Sequence, residues 1–343
     1  MLDAGPLTGI ANRYVVPRPS FRWSGVVTIC RQSGIIVHYG QFRHRLDGLT
    51  ATMKEKILPV LHIDDFAEAP RRGPDVYVQL FREHVAQYQF IRTPHRHDFY
   101  LLVLFTRGQG THTIDFVDYP IQPGSVFFMS PAQVHTWTYS DDTDGYLIFF
   151  NAAFYLVDYP ARKLFDFPLF HALATPPVDY LSTENAADIS DLFVRVYQET
   201  IGSNYRREDI IRSYLNILLV KLSGFLLTRQ SDRLTVHTQS QIQQLERLVE
   251  AHYLNHKTVR EYADLMALSE KQLYTICQTA LGKSLQKIIQ ERLLLEAKRL
   301  LVHTDLSVAQ VADRLNFQDH SYFNRFFRKA AGVTPEQFRR EYQ

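Results

Sequence analysis

Ser307-Val-Ala-Gln-Val-Ala-Asp-Arg-Leu315 runs directly into Asn316-Phe-Gln-Asp-His-Ser-Tyr-Phe-Asn-Arg-Phe-Phe-Arg-Lys-Ala-Ala-Gly332. An earlier stretch has the same layout. Thr258-Val-Arg-Glu-Tyr-Ala-Asp-Leu-Met-Ala-Leu268 is followed by Ser269-Glu-Lys-Gln-Leu-Tyr-Thr-Ile-Cys-Gln-Thr-Ala-Leu-Gly282. Each copy reads as a short amphipathic helix, a tight break and a second helix closed by Gly. That layout matches a helix-turn-helix, whose second helix enters the DNA major groove.

In the first copy Ala263, Leu265 and Leu268 are expected to pack against Leu273, Ile276 and Cys277. Ser269 and Gln272 have the spacing of a capping box, which fixes the start of the second helix. Lys271, Gln272, Tyr274 and Thr275 then fall at its exposed N-terminal end, where base-reading side chains sit. In the second copy Val308, Val311, Ala312 and Leu315 form the inner face with Phe317, Phe323, Phe326 and Phe327. His320, Ser321, Tyr322 and Arg325 are left to face DNA. An Arg can read guanine through paired hydrogen bonds, worth about 1–3 kcal/mol of discrimination. Arg328, Lys329 and Arg339 read as phosphate-facing or structural. Ser284 to Val302 is an amphipathic connector, expected to hold the two readers in successive major grooves on one DNA face.

Working outward, residues 241–343 hold this double unit, with a first helix opening near Gln241. They carry 15 Lys and Arg against 12 Asp and Glu, whereas the rest of the chain carries 23 against 24. The basic excess thus lies where phosphate contact is expected. Residues 231–240 are polar and read as a linker. Residues 183–230 read as a helical hairpin, capped by Ser182 or Thr183 and broken at Gly202-Ser-Asn204. Its second helix has more apolar surface than one face needs, which suits a homodimer interface. The apolar run Tyr214 to Leu227 is interrupted by Asn216, Lys221 and Ser223, too short and polar to span a bilayer.

Residues 53–182 change to a β pattern. Val76–Leu80, Phe99–Phe105, Gly110–Phe116, Ser125–Met129 and Tyr146–Phe150 are rich in β-branched and aromatic residues, with breakers such as Asp118-Tyr-Pro120 and Pro123-Gly124 between them. Short strands at this spacing predict a sandwich or barrel. The aromatic and Pro-rich stretch 152–182 reads as loops and short turns over it. Residues 1–52 show little periodicity and are expected to be a disordered or non-native extension, with translation starting at Met53. Cys30 and Cys277 are the only two cysteines. They lie outside any metal-ligand spacing, which favours a reducing compartment over a disulfide framework. The N-terminus lacks the pattern of a secretory signal.

Two resemblances follow from these residues. His95, His97, Pro123-Gly124 and His135 resemble the two motifs of the cupin barrel, in which a carboxylate and three His hold a metal. The carboxylate position falls on Leu101 here. The three imidazoles therefore read as polar residues lining a ligand pocket or its rim, with no metal and no cofactor expected. The C-terminal half is similar to the AraC/XylS family of bacterial regulators. That resemblance rests on Ala309-Gln-Val-Ala312, Phe317, Ser321-Tyr-Phe-Asn-Arg-Phe-Phe327, Gly332 and Thr334-Pro-Glu-Gln-Phe-Arg339, with Glu291-Arg-Leu293 and Ala297-Lys-Arg-Leu300 upstream. Asn316 stands where the family has Gly, and tolerates the φ > 0 that this turn needs.

The sequence thus predicts a multidomain α+β protein, a cupin-like β-barrel with a helical hairpin followed by an all-α double helix-turn-helix. The resemblance implies a cytoplasmic, sequence-specific regulator of transcription. Its implied partners are double-stranded DNA, a small-molecule effector such as a sugar or aromatic compound, a second copy of the chain, and RNA polymerase. No membrane is involved. The competing reading is a metal-dependent cupin enzyme carrying a DNA-binding tail. Leu101 in place of a carboxylate argues against it.

Overall fold

The computed structural model describes residues 58–66, 76–160, 164–171, 173, 175–230 and 236–342. The expected extension over 1–52 and start at Met53 lie outside them.

The β half begins with β1 (Val60–Leu61), β2 (Val76–Leu80), α1 (Phe81–Gln87), β3 (Arg96–His97) and β4 (Tyr100–Arg107). It continues with β5 (Gly110–Ile114), β6 (Val117–Ile121), β7 (Ser125–Met129), β8 (His135–Tyr139) and β9 (Asp144–Phe150). A short α2 (Ala152–Leu156) and β10 (Val178–Tyr180) close it. The strands form a five-stranded sheet in the order β10-β7-β4-β9-β2, a three-stranded sheet β6-β5-β8, and the parallel pair β1-β3.

Residue alternation gives the larger sheet two apolar faces. Leu101, Val103 and Phe105 of β4 turn inward with Phe127, Met129 and Phe149. Leu102, Leu104, Val126, Phe128, Ile148 and Phe150 turn outward under the helices. Those helices are α3 (Thr183–Ile201), whose N-cap Ser182 accepts from the Asn185 N–H, and α4 (Arg207–Gln230). Leu215, Leu218, Leu219 and Leu222 of α4 are buried on the sheet. By length and composition Arg207–Thr228 could cross a bilayer, which residues 214–227 alone did not suggest. In this fold that apolar surface is used to cover the sheet. Near its start, buried Arg212 donates to Asp158 at 2.7 Å, Asp209 at 3.1 Å and the Phe154 carbonyl at 2.6 Å.

Several local expectations are corrected. The strand expected over Gly110–Phe116 ends at Ile114, because Asp115 (φ 50°) and Phe116 (φ 68°) form a two-residue turn into β6. Two successive positive φ values define the hairpin turn that matches strand twist. Asp118-Tyr-Pro120 is not a breaker. It belongs to β6, an edge strand, where Pro costs no ladder bond. Residues 152–182 include α2 and β10, and β8 and α1 were not foreseen.

The helical half comprises α5 (Val236–His252), α6 (Val259–Leu265), α7 (Glu270–Leu281), α8 (Leu285–His303), α9 (Val308–Arg314), α10 (His320–Ala331) and α11 (Pro335–Tyr342). The first of these opens at Val236, ahead of the expected Gln241. One core unites them, with Ile288, Ile289, Leu293 and Ala297 of α8 at its centre.

The halves meet at the β5–β6 turn. Arg299 of α8 donates to both oxygens of Asp115, Nε to Oδ1 at 2.8 Å and Nη2 to Oδ2 at 2.7 Å. Phe116 packs beside His303, Phe338 and Tyr342 at centroid distances of 5.8, 5.6 and 5.4 Å. Glu246 of α5 accepts from the Leu173 N–H at 2.9 Å.

Candidate nucleic-acid interface and effector domain

The two helix pairs are built by the same bonds. Thr258 with Glu261 and Ser307 with Gln310 form reciprocal capping boxes that start α6 and α9. The Thr258 hydroxyl and the His256 ring beside it hold the Glu261 carboxyl at a pKa of about 2. Each first helix then ends in a residue of positive φ, Ala267 (53°) or Asn316 (56°). The N–H groups that follow return to equivalent carbonyls: Leu268 to Ala263 and Phe317 to Ala312, at 2.9 and 3.0 Å. Asn316 thus adopts the conformation predicted for it. The Lys257 ammonium fastens this turn by donating to the carbonyls of Leu315 and Asn316 at 3.0 and 2.6 Å, over the Phe317 ring.

The recognition helices have different starts. In α7 the Ser269–Gln272 box is complete, and Gln272 Oε1 accepts from both the amide and hydroxyl of Ser269. Gln272 was expected to face bases, but its carbonyl oxygen is committed to the cap. Lys271, Tyr274 and Thr275 remain exposed, Tyr274 by 56%, although the Thr275 hydroxyl also donates to the Lys271 carbonyl. In α10 the cap is Asp319, which accepts from the Ser321 and Tyr322 amides at 2.6 and 3.1 Å. Those bonds, the Tyr322 amide's first, hold its carboxyl below the usual range. Ser321 and Tyr322 are exposed, and the His320 Nε2–H donates to the Asp313 carboxylate at 2.7 Å. Arg325 is 69% exposed at the side chain, with only a 3.9 Å approach to Asp319. Its guanidinium also lies 6.0 Å from the Tyr322 ring centroid.

One position is corrected, and Arg339 takes the structural side of its reading. Leu265, expected inside, is 42% exposed. Arg339 serves the fold, donating to the carbonyls of Leu301 (3.0 Å) and Leu306 after α8. Arg328 and Lys329 are exposed at the end of α10. The connector α8 has 19 residues, about 28 Å at 1.5 Å per residue. It is braced by Arg292, which grips Glu250 through Nε and Nη2 at 2.7 and 2.8 Å and covers the Tyr253 ring.

Inside the barrel His95, His97 and His135 do come together, with a fourth histidine that sequence reading missed. The strand pairing sets His95 opposite His135. Ring centroids lie 4.4 Å apart for His95–His135 and 5.2 Å for His97–His135. His112 Nε2 stands 2.9 Å from His135 Nδ1. The signal for His112 was present, since alternation along Gly110–Ile114 puts it on the face of inward Ile114. His97 Nδ1 and His95 Nδ1 are held by the carbonyls of Phe99 and Thr93 at 2.7 and 2.9 Å. All four rings are buried. Burial, the largest cause, lowers each pKa, to about 3 for His97 and well below the ordinary value for His112 and His135. They are neutral at physiological pH. Among the described residues no three His, Cys, Asp or Glu are disposed to hold a metal ion.

Comparison with known proteins agrees with this division. Residues 76–197 match the model of the AraC-like ligand binding domain, and residues 262–341 match a helix-turn-helix domain model. The chain is 25% identical over 260 residues to the HTH-type transcriptional activator RhaR of Enterobacter sp. (strain 638), covering 73% of this chain and 88% of that one. It is 24% identical over 254 residues to the activator RhaS of Escherichia fergusonii, covering 71% and 86%. Among solved structures, the DNA-binding domain of AdpA in complex with a target DNA is 25% identical, covering 28% of this chain and 85% of that one with a TM-score of 0.26. A ligand-binding barrel joined to a double helix-turn-helix is the make-up of a DNA-binding transcriptional regulator rather than an enzyme, and the chain belongs to the AraC/XylS family.

Proposed function

We propose that this regulator activates transcription as a cytoplasmic bacterial homodimer, in response to a small molecule bound by the barrel domain. The observation that carries the DNA reading is the pair of capped recognition helices joined through α8. They leave Lys271, Tyr274 and Thr275 on one reader and Ser321, Tyr322 and Arg325 on the other exposed. His320 belongs with the second set once its bond to Asp313 exchanges for DNA. The second reader carries the basic Arg325, Arg328 and Lys329, so it anchors phosphates while the first contributes more of the sequence choice.

Activation and contact with RNA polymerase accord with relatives described as transcriptional activators. Exposed Ile217 and Val220, one turn apart on α4, support pairing of two copies through residues 183–230. We take 53–182 as the sensor, the stretch between α4 and α5 as the linker, shorter than the 231–240 read from sequence, and α5 onward as the reader.

Selection of bound fragments from random double-stranded DNA would supply the operator, and gel shifts at two salt concentrations would give affinity and its salt slope. Arg325→Ala should cost about 1–3 kcal/mol and relax preference at one base pair. Wild-type affinity and preference in that variant would refute the assigned role. A promoter fused to a reporter should rise when the regulator is expressed; a fall would overturn activation.

A further inference from the structure

A second candidate for the effector site lies outside the barrel interior. The interior face is filled by Phe81, Phe99, Phe105, Phe127 and Phe149, each 2% exposed or less, together with the histidine cluster. A cleft of about 230 Å³ opens instead where the β5–β6 turn, the outer face of β7, the turn at Pro168–Phe170 and α8 converge. Its apolar wall includes Phe128, Phe170 and Leu295. Its polar wall is formed by Asp115, Ser130, Gln133 and Thr175.

Three features make this more than a gap between halves. The Thr175 hydroxyl is buried beside the cleft with no hydrogen-bond partner among the described residues, a state that costs free energy. Gln133 Oε1 accepts from the Ser130 amide at 2.9 Å, which fixes the side chain and leaves its amide donors for an occupant. Finally, Asp115 is at once cleft wall and the partner of Arg299. Leu295 and Arg299 are four residues apart and share one face of α8. Both sides of the contact between barrel and reader therefore border the same space.

We propose that this cleft binds the effector, a small uncharged molecule with hydroxyl groups along one edge and an apolar opposite face. This rests on the reading of the chain as an effector-controlled regulator. The one charge at the wall, Asp115, is already paired with Arg299 behind it, so an ionic ligand would lack a counter-charge. A hydroxyl donated to Asp115 competes with Arg299 for the carboxylate. Occupancy thereby weakens the hold of the β5–β6 turn on α8 and changes the freedom of the connector that carries both readers. A ligand that binds the released arrangement better must shift DNA affinity, and DNA must shift ligand affinity equally.

The test uses the full chain and ligand-observed saturation-transfer NMR with erythritol, xylose, glucose and cis-cyclohexanediol as probes. Molecules of this size bind at about millimolar Kd. At least one probe should bind the wild type. Leu295→Trp, which fills the cleft from α8, should abolish the signal. The near-isosteric Thr175→Val should weaken it about fivefold, the loss of one hydrogen bond, while the ligand-free protein is no less stable than wild type. The binding probe should shift operator affinity in the same direction as Asp115→Asn. Failure of every probe to bind overturns the proposal. So does binding that survives both cleft substitutions, or that is lost only on His97→Gln in the barrel. Operator binding by the probe-free wild type is read separately: its absence sinks the regulator reading, whereas operator binding with no response to a bound probe sinks only the coupling proposed here.

Discussion

Replacing Asp115 by Asn should loosen the halves of the molecule without damaging either core. The side chains of Arg299 and Asp115 are 8% and 14% exposed, and two hydrogen bonds of 2.8 and 2.7 Å join them. At a separation of about 4 Å and an effective dielectric near 20, the attraction is about 4 kcal/mol before desolvation. Removing one partner of a buried pair costs about 3–5 kcal/mol, because the other charge stays buried alone. Arg299 retains Glu296 at 3.4 Å, and Asn still accepts one bond and tolerates the 50° φ of residue 115. We therefore expect about 2 kcal/mol for Asp115→Asn, and a similar value for Arg299→Met. The double variant should cost little more than either single, since both charges then leave together. Urea unfolding followed by helical ellipticity and by tryptophan fluorescence gives the cycle. In a Trp23→Phe background, which leaves Trp137 as the one tryptophan, the two probes should coincide, and with Asp115→Asn added the Trp137 signal from the barrel should separate from the helical signal. A coupling energy below about 0.5 kcal/mol, or coincident transitions in every variant, would show that the pair does not bind the halves together.

Three further outcomes follow from the same geometry. Asn316→Gly should leave stability within about 0.5 kcal/mol of wild type, since Gly accepts the 56° φ and Asn316 loses only two long 3.4 Å contacts; Asn316→Ala should cost about 1 kcal/mol, both read by thermal unfolding. The buried histidines have folded pKa values below the unfolded value of about 6.5, so their contribution is complete above that pH and is lost as pH falls toward the folded values. The urea midpoint should be flat from about pH 7 to 8 and drop between about pH 6.5 and 5, above the range in which exposed carboxylates titrate; a flat profile across that interval would contradict neutral burial. Arg292→Met should destabilise the helical half by about 1 kcal/mol by removing the two bonds to half-exposed Glu250 and the bond to Glu296 and by uncovering Tyr253, and an unchanged unfolding midpoint would contradict that bracing role.

What could be read from the sequence depended on how local its cause was. The double helix-turn-helix was legible because each decision is made within four residues. Ser269 meets Gln272, Asn316 takes the positive φ, and Gly282 and Gly332 close α7 and α10 in the left-handed conformation. The same local reading assigned Gln272 to DNA as well as to the cap; its Oε1 serves the cap, while the exposed side chain keeps its amide donors outside that bond. In the barrel, β-branched runs located most strands but could not place β8, whose position depends on pairing with β5. His112 was missed for a related reason: its partner His135 lies 23 residues away. The junction was hidden altogether, because Asp115 and Arg299 are 184 residues apart. Even so, the junction departs from local rules. A two-residue hairpin turn favours Asn-Gly, and this one is Asp115-Phe116, with a bulky ring forced to a φ of 68°. Local preference alone disfavours that choice, so the compensation must come from elsewhere. Here it is the docking of both side chains on the helical half, Asp115 on Arg299 and Phe116 among Phe338, Tyr342 and His303. A turn residue that is wrong for its own hairpin and right for a distant helix marks the contact that docks the barrel on the helical half.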